Sequence, residues 1–165
     1  MQLLGIQRMK HETLDKADVR LLRALQRDAS ASQAALAEEA GISPSLVSRR
    51  LSRLRETGVV RAIVGLVDPV RVGLSCAAII RVRLRDHSAA NVKSFRDVVT
   101  RMPEATFCVM LTGEADYLVK IVARDLPHFQ EIVQSKLLRC AAIAHMESSI
   151  VLEYLKDTTE LPLAD

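Results

Sequence analysis

From Leu36 to Leu51 the chain reads as a helix, a glycine-centred reversal and a second helix with its own start signals, and a helix-turn-helix is the arrangement that satisfies all three. Gly41 stands where the first helix must stop, because a residue without Cβ takes the left-handed conformation freely and lets Ile42 fold back onto the apolar side. Ser43 is placed to cap the next helix, and Pro44 to occupy its first position, where a missing N–H costs nothing. Along that helix Val47, Leu51 and Leu54 recur at i, i+4 and i+7 as one buried stripe. Ser45, Ser48, Arg49, Ser52 and part of Arg53 are left facing outward. Hydroxyls and guanidinium forks on an exposed helix suit the phosphates and base edges of a DNA groove, where arginine binds guanine bidentately.

Charge supports this. The net charge of the 165 residues is +3, but residues 1–61 hold 11 Lys and Arg against 7 acids, and the remainder holds 12 against 13. Within 43–61 five arginines (Arg49, Arg50, Arg53, Arg55 and Arg61) face one acid, Glu56, a local field suited to a polyanion. Three Phe, two Tyr and no Trp offer no stacking platform for single strands, so the expected polymer is double-stranded DNA. Cys76, Cys108 and Cys140 are scattered and odd in number, and the four histidines show no ligand spacing; neither a disulfide framework nor a metal site is expected, and no cofactor. Met1–Lys10 carries no basic segment ahead of an apolar run, and no window approaches the ~18 apolar residues of a membrane helix, so a cytoplasmic protein without membrane contact is expected.

The pattern predicts an α+β chain with two domains: a winged helix-turn-helix over 1–64, a linker over 65–74 containing Asp68-Pro69, a second domain over 75–156 and a polar, frayed tail over 157–165. Asp15 is placed to cap a first helix whose core residues are Val19, Leu22 and Leu25; Ser32 caps the second, with Leu36, Ala37 and Ala40 on its apolar side. After Thr57-Gly58 the period shifts, and Val59–Val64 reads as the strand of a wing. In the second half a strand from Cys76 to Arg85 alternates Ala78, Ile80, Val82 and Leu84 against Ile79, Arg81 and Arg83. A helix ending before Pro103, a hairpin of 105–111 and 117–123, a helix capped by Asp125 and a last strand from Ile143 complete a β-α-β-β-α-β ferredoxin-like sheet with both helices on one face. The other face, with Ile79, Val109 and Leu111, needs a partner, which dimerisation supplies.

This order, with Leu14-Asp15, Gly41-Ile42-Ser43-Pro44, Arg50-x-x-Arg53-Leu54, Asp68-Pro69, Gly113-x-x-Asp116-Tyr117 and Ser148-Ser149-Ile150-Val151-Leu152, resembles the Lrp/AsnC family of transcription regulators over nearly the whole chain. The resemblance implies homodimers assembling to octamers and a small effector, an amino acid in many members, seated between subunits near the Gly-x-x-Asp turn. Gly113 then lets backbone amides approach a carboxylate, and Asp116 holds an ammonium by a charge-assisted bond. Met110, Thr112, Leu118 and Leu126 line the side-chain pocket, Tyr117 belongs to the same motif, and Ser148, Ser149 and Ile150 close it. Two plainer roles stay open: Asp116 as a turn acid bonded to backbone, and Met110 and Leu126 as core residues. On the DNA side Arg50, Arg53 and Arg55 are expected to fix the phosphate register, Ser45, Ser48, Arg49 and Ser52 to face bases, and Arg61 to grip the flanking backbone. Sirohaem decarboxylases resemble the family in both domains, which leaves an enzyme as the alternative, with His145 and Arg81 or Arg83 as its wall residues, though no acid–base pair or nucleophile is evident.

Overall fold

A computed structural model describes residues 13–164. They fall into two compact units: one extends to Gly65 and takes in the chain again from Lys156, and the other is Leu66–Leu155. The break between the units falls at Gly65, where the expected linker begins, and the residues from Lys156 group with the helical unit.

The first unit has three helices, α1 (Lys16–Arg27), α2 (Gln33–Ala40) and α3 (Pro44–Glu56). A complete capping box starts α1, in which the Asp15 carboxylate accepts from the Asp18 N–H at 2.8 Å and Asp18 returns the bond to the Asp15 N–H at 3.2 Å. Ser32 caps α2 through the Ala35 N–H at 3.2 Å. Gly41 takes φ +67 at the reversal, and the carbonyl of Ala40 just before it accepts from Arg20 Nε at 3.0 Å, tying the turn to α1. At α3 Pro44 fills the first position as expected, but the Ser43 hydroxyl makes no bond to the helix amides and lies 3.1 Å from the Ser45 hydroxyl instead. Leu21, Leu22, Leu25, Leu36, Ala40, Val47 and Leu54 make the core, joined at its margin by Leu51 and by Leu163 from the far end of the chain. Val59–Val64 differs from expectation. It forms no strand among the described residues, Val59 and Val60 lying in a bend, and only Val60 of its apolar side chains is buried, because a segment without a pairing partner has no ladder to hold it.

The second unit opens with a short helical turn over Val70–Val72, started by the Asp68 carboxylate accepting from the Val70 N–H at 2.9 Å. Then follow β1 (Cys76–Leu84), α4 (Ala89–Thr100), β2 (Ala105–Met110), β3 (Tyr117–Ala123), α5 (Leu126–Ile132, continued by a wider π turn over Val133–Leu137) and β4 (Ile143–Ile150). The sheet is antiparallel throughout, in the order β2-β3-β1-β4. Its alternation is the expected one: Ala78, Ile80, Val82, Leu84, Val119 and Ile121 pack with Phe95, Val99, Phe129 and Leu137 of the helices. The opposite face carries Ile79, Arg81 and Arg83, with Phe107 half exposed and Leu111 38% exposed. The last strand ends at Ile150, although the Val151 N–H still donates to the Ala77 carbonyl at 2.9 Å.

Candidate DNA interface and ligand cleft

On α3, at about 100° per residue, Ser45, Arg49 and Ser52 point within about 40° of directly opposite Val47, whereas Arg50 stands only about 60° from it. The structure obeys that geometry. Ser45, Arg49, Ser52 and Arg55 are exposed, Ser48 is partly so, and Arg61 is exposed just beyond the helix. Arg50 and Arg53 go elsewhere. Arg50 Nη1 lies 2.7 Å from Asp15 Oδ2 and 2.7 Å from Asp18 Oδ1, and Arg53 Nη2 lies 2.7 Å from Asp18 Oδ2. The Asp18 side chain is 2% exposed, so its charge is compensated by two guanidiniums and the Asp15 N–H rather than by water. Burial pushes its carboxyl up, and the bonds from Arg53, Arg50 and Asp15 outweigh this and hold it below the usual range. The phosphate contacts expected of Arg50 and Arg53 thus compete with their use as the bolts between α3 and α1. The sequence signal for this was present: two arginines three apart on the flank of the apolar stripe, and an acid on the buried side of α1.

The Gly113 turn is built around Asp116. Gly113 has φ +121, a conformation that side chains resist, which lets the chain turn between β2 and β3. The Asp116 N–H donates to the Val82 carbonyl at 2.9 Å, Oδ2 accepts from the Leu84 N–H at 2.7 Å, and Oδ1 lies 2.8 Å from His87 Nε2. Both carboxylate oxygens are therefore engaged with the end of β1 and with His87. Burial raises the Asp116 pKa, but the Leu84 amide and His87 prevail and lower it. The plainer role, a turn acid bonded to its own backbone, does not describe these contacts: the carboxylate bonds Leu84 and His87, about 30 residues away, and ties the turn to the end of β1.

Beside the turn, on the open face of the sheet, is a cleft of about 490 Å³ lined by Arg81 and Arg83 of β1, His145 and Glu147 of β4, and Leu111, Thr112 and Glu114 of the turn. Arg81 Nη1 reaches Glu147 Oε2 at 3.2 Å, and Arg83 Nε donates to the Glu114 carbonyl at 3.1 Å. Of the residues expected to hold an effector, Met110, Thr112, Gly113, Asp116, Tyr117 and Leu118 gather at this end of the hairpin. Ile150 pairs with Ala78, which pairs with Ile121, and Leu126 follows the end of β3, so these two belong to the opposite end of the sheet. Ser148 and Ser149 sit on alternate faces of β4, opposite Ile80 and Ile79. Tyr117 is 4% exposed, packed against Phe95 with ring centroids 4.5 Å apart and the rings tilted by 41°, and is a core residue here. Met110 and Leu126 are 56% and 50% exposed, which sets aside plain core packing for both. Arg81 and Arg83 were expected only as wall residues of the enzyme alternative, and Glu147 was not expected at all; their cross-strand register, legible once β1 and β4 are paired, is what assembles them.

No three His, Cys, Asp or Glu side chains among the described residues converge as metal ligands, and no described helix is long and apolar enough to cross a membrane. His11, one of the four scattered histidines, lies outside the described residues.

A helix-turn-helix unit with an exposed serine–arginine helix, joined to a β-α-β-β-α-β unit with a polar cleft, defines a DNA-binding transcription regulator with a sensing domain. Residues 77–161 match the Lrp/AsnC ligand binding domain, and residues 14–61 match a winged helix-turn-helix DNA-binding domain; the chain belongs to the Lrp/AsnC family. It is 32% identical to the transcriptional regulator AzlB of Bacillus subtilis over 91% of this chain and 96% of that protein. It is 33% identical to the DNA-binding transcriptional activator DecR of Escherichia coli over 91% and 99% of the two chains. Among solved structures, a Neisseria meningitidis transcriptional regulator in complex with L-Met superposes with a TM-score of 0.87 at 37% identity, covering 91% of this chain and 97% of that one. An AsnC family regulator from Agrobacterium tumefaciens gives 0.85 at 32%, covering 90% and 97%. The relatives that match over about nine-tenths of this chain are named transcriptional regulators, which supports a regulator over the decarboxylase alternative, although Arg81, Arg83 and His145 do share a cleft.

Proposed function

We propose that this regulator binds DNA through the outward row of α3 and answers to an amino acid taken up beside the Gly113 turn. The observation that carries the first half is the division of labour on α3: Arg50 and Arg53 face Asp18, while Ser45, Ser48, Arg49 and Ser52 face away from the core as the base-reading row, with Arg55 and Arg61 on the flanking phosphates. Replacing Arg49 by Ala should weaken binding to the operator by about 1–3 kcal/mol and relax discrimination among sequence variants of it, as read in gel shifts. Equal loss on all sequences would reassign Arg49 to a phosphate.

For the second half, the cleft holds cations and carboxylates a few ångströms apart, the pattern that a zwitterion needs. Arg81 and Arg83 suit a carboxylate, Glu147 and the Glu114 side chain an ammonium, and Asp116 shapes the turn. The L-Met complex of the similar Neisseria protein supports an amino acid as the ligand class. Phe107 and Leu111 on the open sheet face, and the unpaired Val59–Val64 segment, favour a homodimer that assembles further, to octamers. In such an assembly Leu126, Ser149 and Ile150 from the far end of one sheet are available to a neighbour's turn. A thermal-shift screen of the amino acids tests this, because a true ligand at free concentration L stabilises by RT ln(1 + L/Kd) and so raises the midpoint with the logarithm of its concentration above its Kd. A screen in which none of them shifts the midpoint would sink the amino-acid reading while leaving DNA binding intact.

A further inference from the structure

The end of the chain, which composition predicts to fray, is seated against α1. Leu163 packs on the three-helix core, and its carbonyl accepts from Arg23 Nη2 at 2.6 Å. The Gln26 side chain reads the backbone of Leu161 in both directions: Oε1 accepts from its N–H at 2.7 Å, and Nε2 donates to its carbonyl at 3.3 Å. A carboxamide that pairs with both polar groups of one residue imitates a neighbouring strand, and Arg23 and Gln26 stand one turn apart on the same side of α1. Pro162 suits the seat. Its ring fixes φ and biases Leu161 toward extended backbone, which lowers the entropy lost on docking, and its lack of an N–H leaves no donor to satisfy.

We infer that Arg23, Gln26 and the adjoining core form a peptide-docking surface whose occupant is the chain's own Thr158–Leu163 segment, and that this clasp is a working part of the DNA-binding unit. Docking braces α1, and α1 holds the recognition helix through the Asp18 pairs with Arg50 and Arg53. DNA affinity then depends on residues more than a hundred positions from the recognition helix that touch no DNA.

The test is amide hydrogen exchange on the full-length protein and on Gln26→Ala and Leu163→Asp, with operator binding measured in parallel. The Leu161 amide should be protected in the natural protein, and its protection should fall at least about fivefold in Gln26→Ala, which removes both bonds between Gln26 and Leu161. In Leu163→Asp half-maximal DNA binding should weaken at least about threefold with the salt slope unchanged, because no phosphate contact is removed. Exchange of residues 158–164 at unstructured-peptide rates in the natural protein, or full DNA affinity in both variants, overturns the inference. Protection that vanishes on dilution in step with dissociation of the oligomer would give the seat to a second copy and overturn the intramolecular clasp.

Discussion

The Tyr117 hydroxyl is buried and has no hydrogen-bond partner among the described residues, so it carries a desolvation cost that its ring's packing against Phe95 must offset. Burial also pushes its phenol pKa up. Tyr117→Phe keeps the ring and deletes the orphaned group; stability in urea should stay level or rise by up to about 1 kcal/mol. A loss of that size would show that the hydroxyl has a partner in the assembled protein, and would return Tyr117 to the ligand site. Asp116 shows the reverse case. Its short side chain satisfies two elements at once, and no pattern of residue types distinguishes a carboxylate that frames a turn from one that meets a ligand.

Between elements, the joint of α1 and α3 carries the DNA-binding unit. Fully buried ion pairs cost about 3–5 kcal/mol to break; here the Arg50 and Arg53 side chains are 24% and 40% exposed, so water recovers part of that. Asp18→Asn should lower the stability of the helical unit by about 2 kcal/mol and leave the sheet unit's urea transition where it was. An unchanged helical-unit transition would mean that the pairs contribute nothing and that both arginines are at liberty to meet phosphates. The helices themselves were legible. Asp15 with Asp18, Ser32 and Gly41 are local signals, each acting within a few residues, and the alternation of β1 follows from a period of two. What the periodicity could not tell was whether Val59–Val64 finds a ladder, since that depends on a strand elsewhere.

Across the whole molecule the two units share a dependence on carboxylates held in the charged form. Asp15, Asp18 and Asp28 in one, and Asp86, Glu104 and Asp116 in the other, all have lowered pKa values; for Glu104, burial is outweighed by Lys136 Nζ at 2.7 Å. A depressed carboxylate adds stability above its unfolded pKa and loses it as pH falls through the folded value. The thermal midpoint should therefore stay nearly level from pH 8 to about 5 and drop below about pH 4, in both units. A midpoint unchanged between pH 7 and 3 would rule these contacts out as contributors. From the sequence by itself came the order of elements, the α+β class, the family resemblance and the outward row on α3, because caps, turns and hydrophobic periods act over a few residues. Tertiary structure decided that Arg50 and Arg53 turn to Asp18, that Arg81, Arg83, His145 and Glu147 share a cleft, and that the last residues dock on α1. Those pairings join residues some 30 to 140 positions apart, and such a contact depends on how packing brings distant backbones together, which no local pattern encodes.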